Sequence, residues 1–271
     1  MRYLCAVCTV IMLFSAVLPI AVQAQDEKPL PRVLIIGDAV YDHNLKVGLT
    51  ADIKDRAEVV VARYPAGIVL NSSTAIEHLD QLLGRIDRNS KAVAQEKWPK
   101  WDLILFNVGL GDLIHCVPEL KSLRVLPIHA GGTKVTGAKE YAKNLDTLVR
   151  QLKASVKGTK LVWASTTPIR ASSSNVFEKG SEIAYNEIAA AVIAKHGVPT
   201  CDMHSYVKCL INMDKPAGHG ADPFHFDKLP IHMPIVRAIE TAFGFTPMPE
   251  TKEEKTVKQI AGKKADANPG P

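Results

Sequence analysis

The chain has 271 residues with 33 Lys and Arg against 28 Asp and Glu, a formal net charge of +5. The basic residues are dispersed rather than gathered on one stretch, which argues against a nucleic-acid-binding face. With 46% hydrophobic residues and 6% aromatic ones, the composition is that of a globular protein with a real core.

The first element is a leader. Arg2 supplies a positive start, "LCAVCTVIMLFSAVLPIAV" an apolar run, and "VQAQ" a small-x-small site for cleavage after Ala24. That pattern predicts a secretory signal peptide over residues 1–24; the alternative reading of the same run is a retained membrane anchor. Neither Cys5 nor Cys8 sits at the junction, so no lipoprotein is expected, and the protein is expected in the periplasm or outside the cell. After the leader only Cys116, Cys201 and Cys209 remain. In an oxidising compartment Cys201 and Cys209 either close a small loop or stay as buried thiols. No CxxC or His/Cys cluster among them argues for zinc.

From residue 25 to 245 the pattern alternates. "RVLIIGD" (32–38), "EVVVARY" (58–64), "WDLILFNVG" (101–109) and "KLVWASTTP" (160–168) are short and apolar nearly throughout, as strands covered on both faces are. "VPTCDMH" (198–204) is a weaker fifth. Between them, Thr74 and Glu77 read as a capping box that opens a helix closed by Gly84. Tyr141, Leu145, Leu148 and Leu152 share one face of a helix over 137–155. A further helix over 181–197 ends at Gly197, and "PIVRAIETAFG" (234–244) forms the last. The final stretch, 246–271, is rich in Pro, Lys and Glu and reads as a solvated, disordered tail. The alternation predicts one flavodoxin-like three-layer α/β/α domain around a doubly wound parallel sheet of about five strands. In such sheets the ligand site lies outside the carboxyl ends of the strands, where strand order reverses. No GxGxxG or phosphate loop follows the first strand, so no nucleotide cofactor is expected.

Three blocks fall at those ends: "GDA" (37–39), "GLGD" (109–112) and "DPFH" (222–225). In this order and spacing they resemble the SGNH (GDSL-type) hydrolases over essentially the whole domain. The resemblance implies an ester hydrolase whose nucleophilic serine follows Gly-Asp, with a glycine N–H and an asparagine side chain as oxyanion donors and an Asp-x-x-His pair as base. Here Asp222 and His225 match that pair, the aspartate orienting the imidazole. Ala39 stands at the serine position, Gly111 at the asparagine position, and the family's glycine falls near Asn71, whose backbone N–H is its candidate substitute. A methyl group forms no acyl intermediate, and loss of one donor costs on the order of 10²–10³ in rate.

Other residues carry two readings. His232, between Pro230 and Pro234, is a rival base or a packing residue at the helix entry. Asn107 is a core amide or a substitute oxyanion donor. Ser72 and Ser73 are capping serines or a replacement nucleophile. Asp38 reads as a structural residue bonded to turn amides, and His43 and Arg170 face either the cleft or elsewhere. The implied ligand is a small ester or acylated carbohydrate, with no cofactor and no metal. The rival functional reading is an inactive pseudoenzyme that binds a glycan or a partner protein in the old cleft.

Overall fold

A computed structural model describes residues 29–41, 45–87, 89–118, 120, 123–171, 175–215, 226 and 229–267. Residues 1–24, read above as a leader, and the Asp222–His225 block lie outside the described residues. In chain order the elements are β1 (Arg32–Ile36), α1 (Lys46–Ile53), β2 (Glu58–Val61), α2 (Ser72–Glu77), α3 (Leu79–Leu82), β3 (Leu103–Phe106), β4 (His115–Cys116) and β5 (Thr133–Lys134). There follow α4 (Ala138–Ser155), β6 (Lys160–Ala164), α5 (Glu182–Lys195), β7 (Thr200–Cys201), α6 (Met203–Leu210), α7 (Met233–Phe243) and α8 (Lys252–Ala267).

Five strands form one parallel sheet in the order β2-β1-β3-β6-β7, the doubly wound arrangement expected. Val33–Ile36 and Leu103–Phe106 are buried at every position, because helices cover both faces of a sheet built by crossovers. Right-handed connections put α1 on one face as the chain steps from β1 to β2. The steps from β2 to β3 and onward run the other way, so α2, α4 and α5 cover the opposite face. Tyr141, Leu145, Leu148 and Leu152 point into the core from α4, each apolar side chain contributing about 1.5–3 kcal/mol of burial. The last core helix, α7, ends on Gly244 in the left-handed region at φ 67°, where a Cβ would be strained.

Two expectations change, one element is added and one open alternative is decided. The helix read over 74–84 is two short pieces, and its cap is Asn71. Asn71 Oδ1 accepts the Ser73 and Thr74 amides, and Thr74 Oγ1 accepts the Asn71 amide. The reciprocal box is therefore Asn71–Thr74, one turn earlier than the Thr74–Glu77 reading. The antiparallel pair β4–β5 was not legible, since two-residue strands carry no periodicity. Residues 252–267 are helical rather than disordered. Thr251 and Glu254 cap α8 reciprocally, and Glu254 receives a bidentate pair from Arg237 at 2.7 and 2.9 Å. Finally, Cys201 and Cys209 are unpaired thiols; burial in β7 pushes the Cys201 thiol up to about 12.

Candidate functional site at the carboxyl edge of the sheet

The chain leaves β1 for β2 on one side and returns past it to β3 on the other, so the switch point lies between the ends of β1 and β3. At the end of β1 the chain turns through Gly37, Asp38 and Ala39. A Cβ at Gly37 would lie 2.4 Å from Tyr41 Cγ, so the Tyr41 ring requires glycine there. Asp38 Oδ1 accepts the Val40 amide at 2.9 Å, and the Asp38 carbonyl accepts the Tyr41 amide. This matches the structural reading of Asp38. Burial pushes its carboxyl up to about 7, offset in part by the Val40 N–H. Ala39 is exposed, and its methyl stands where the resemblance puts a hydroxymethyl group.

The end of β3 is closed by contrast. A Cβ at Gly109 would meet Thr166 Oγ1 at 2.4 Å, and one at Gly111 would meet the Leu70 carbonyl oxygen at 2.0 Å. Gly111 is thus fixed by the backbone of the β2–α2 loop, and no donor side chain fits at that position without moving it. Asp112 is fully buried and joins two layers of the edge. Its Oδ1 accepts Ser72 Oγ at 2.6 Å and its Oδ2 the Ser72 amide at 2.9 Å. Asn144 Nδ2 donates to the same Ser72 hydroxyl at 3.1 Å. Burial raises the Asp112 carboxyl to about 6, against the lowering by its Ser72 and Thr136 bonds.

The remaining candidates divide. Asn71 caps α2, and its backbone N–H donates to Thr74 Oγ1 at 2.9 Å; it is engaged within the loop. Asn107 is fully buried, its Nδ2 bonded to the Ala164 carbonyl at 2.8 Å, as in the core-amide reading. Its Oδ1 has no partner among the described residues. Ser72 lies beneath α2 on Asp112 and Ser73 is exposed. His232 sits at the start of α7 with Nε2 2.8 Å from Asp52 Oδ2 on α1. Its ring fills the gap above Gly48, where a Cβ would lie 2.4 Å from Cε1. It ties α7 to α1, the packing role. Arg170 is buried with its guanidinium over the Phe226 ring. Asp222, His225 and His43 lie outside the described residues.

Ser72 and Asn144 as an Asp112-centred network were missed by sequence reasoning. One signal existed: Asn144 is a polar residue on the buried Tyr141–Leu148 stripe of α4. Ser72 is legible only as a capping serine or replacement nucleophile, and nothing in the sequence ties it to Asp112, forty residues away.

Beside this network opens a cleft of ≈ 940 Å³ lined by the β2–α2 loop, the β4–β5 region and the first turns of α4. A groove of ≈ 800 Å³ between α7 and the β6–β7 edge reaches none of Ala39, Asn71, Asn107 or Gly111. Among the described residues no group of three or more His, Cys, Asp or Glu is arranged to hold a metal ion, and no helix is long and apolar enough to cross a membrane.

The sequence matches no family model and no curated protein. Solved structures do match. A lipase/acylhydrolase from Enterococcus faecalis superposes with TM-score 0.52 at 15% identity, over 82% of this chain and 100% of that one. The acetyl xylan esterase AlAXEase gives TM-score 0.52 at 14% identity, over 77% and 99%. Axe2, an acetylxylan esterase from Geobacillus stearothermophilus, gives 0.51 at 16%, over 82% and 97%. The fold is that of the SGNH hydrolases, as the resemblance implied.

Proposed function

We propose that this protein is an exported descendant of ester hydrolases that cleaves a small ester or acylated carbohydrate weakly and without an acyl-enzyme. The observation that carries this reading is Ala39: an exposed methyl at the turn after β1, beside the switch point. The sequence keeps Asp222 and His225 in the Asp-x-x-His motif. In the proposed step, His225 takes a proton from water as the oxygen attacks the acyl carbon, and Asp222 holds the resulting imidazolium. Collapse breaks the ester C–O bond, and the same proton passes to the leaving alkoxide. Removing the serine hydroxyl gives the water room. Without the nucleophile, about 10³–10⁴ over the uncatalysed rate is what such a site retains.

A specific observation favours the second reading, a binding protein without chemistry. Gly111 is packed against the Leu70 carbonyl and the Asn71 N–H is bonded to Thr74, so two of the family's oxyanion donors have no free counterpart here. The test is acetate release from p-nitrophenyl acetate and an acetylated polysaccharide by the native protein, Ala39→Ser and His225→Ala. Slow native turnover abolished by His225→Ala is the expected result. Turnover by Ala39→Ser alone would replace the first reading with the second, and native turnover indifferent to His225→Ala would remove the water mechanism.

A further inference from the structure

The two edges of the sheet are finished differently. β7 is two residues long and passes at once into α6 through its cap, Asp202; so short an edge offers little to pair with. β2 has four residues, Glu58, Val59, Val60 and Val61, followed by Ala62 and Arg63. It carries neither proline nor lysine, and its register against β1 runs without a bulge. Those are the devices that ordinarily block an open strand.

Parity decides which backbone groups of β2 are open. The Glu58 amide donates to the Pro31 carbonyl at 2.9 Å and the Ala62 amide to the Ile35 carbonyl at 2.7 Å. Residues 58, 60 and 62 therefore turn N–H and C=O towards β1, and Val59, Val61 and Arg63 turn theirs away. Among the described residues no strand and no backbone hydrogen bond meets that outer side. The three valines are half-buried, where the apolar residues of β1 and β3 are buried. A groove of ≈ 340 Å³ runs along Val60 and Val61 and is lined also by Ile86, Val93 and Trp101.

We propose that β2 is the contact between two copies of this chain, paired antiparallel about a two-fold axis at Val60, so that the two sheets run on as one. Three features select a second copy as the occupant. A two-fold contact uses the same patch on both subunits and covers both open edges at once. In this register Val59 stands opposite Val61 of the partner subunit, so outward-facing backbone meets outward-facing backbone and valine packs on valine. The charges agree as well. Antiparallel pairing sets Glu58 one position from Arg63 of the partner subunit, whereas parallel pairing would bring like charges together. The contact is independent of any chemistry at the carboxyl ends of the strands.

Sedimentation equilibrium of the purified protein over a micromolar concentration series should reach twice the mass of one chain. Two double variants then test the register. Val59→Lys/Val61→Lys sets lysine opposite lysine twice and should weaken association at least about tenfold. Val59→Glu/Val61→Lys sets glutamate opposite lysine twice and should associate more tightly than the double-lysine variant. Melting temperatures measured on dilute samples check that each variant folds. Amide hydrogen exchange followed by nuclear magnetic resonance needs no variant. The Val59 and Val61 amides should slow as concentration rises, while the Val60 amide, turned towards β1, stays slow throughout. A single-chain mass across the series would overturn the proposal. So would a double-lysine variant that associates as the native protein does, two double variants of equal affinity, or Val59 and Val61 amides that exchange freely in the dimer.

Discussion

Asp38 and Asp112 follow neighbouring parallel strands, β1 and β3, and both are buried carboxyls held above their ordinary titration range, yet their surroundings differ in kind. Asp112 accepts two bonds from Ser72 and sits beside a glycine pressed against the Leu70 carbonyl. It is the hub that fastens the β2–α2 loop and α4 to the end of β3. Asp38 accepts one amide from the next turn, and its neighbour Ala39 opens to solvent. One side of the switch point is locked; the other is loosely held and open. The end of β3 is built as scaffold, and the end of β1 is left open to solvent.

Substitutions separate the two ends by size of effect. Gly111→Asn should be the most damaging, because the obstacle is backbone and cannot rotate away. We expect a loss of at least about 3 kcal/mol, which for a domain of this size lowers the melting temperature by on the order of 10 °C. Scanning calorimetry reads it, and a melting temperature within a degree or two of native would show that the β2–α2 loop yields. Asp112→Asn comes next. An amide cannot accept both Ser72 bonds, so one donor is left facing another, at a cost of about 1–3 kcal/mol. Urea unfolding at neutral pH measures that loss.

Asp38→Asn differs from both in that its effect depends on pH. The folded carboxyl titrates at about 7 against an ordinary 3.8, so the folded state binds the proton more tightly than the unfolded one. Its stabilising share is complete below pH 3.8 and is lost as pH rises through about 7. Asparagine keeps the acceptor for Val40 and has no charge to bury. The variant should therefore gain on the native protein as pH rises through the window between 3.8 and about 7. Melting temperatures of the two proteins from pH 4 to pH 8 test this; a constant gap between them would mean that Asp38 does not titrate in that window.

Much of this architecture was legible in the residues themselves. The apolar runs at 33–36 and 103–106 announced buried parallel strands, and the Tyr141–Leu152 stripe announced a core helix, because burial on both faces or on one face imposes a period on the sequence. The α8 cap was also written there, as Thr251-x-x-Glu254. The composition of the tail argues for solvation, and its anchor, Arg237, lies on another helix. The candidate site was legible only as a set of positions. Ala39 and Gly111 could be named as departures from a motif, but why Gly111 is glycine could not.

What the sequence determined by itself, then, is the alternation of strand and helix, hence the doubly wound sheet and the edge on which a ligand must sit. These follow from local periodicity and from the handedness of crossovers, which any stretch of chain carries within itself. What only the tertiary structure decided is which of those edge residues are available. The Leu70 carbonyl reaches Gly111 and Ser72 reaches Asp112 across some forty residues of chain, and the Asn71 amide turns back onto Thr74. A hydrogen-bonding group at a strand end serves a ligand only if no other part of the protein has already taken it. That depends on which distant segments the fold brings within about 3 Å, a relation no single stretch of sequence contains.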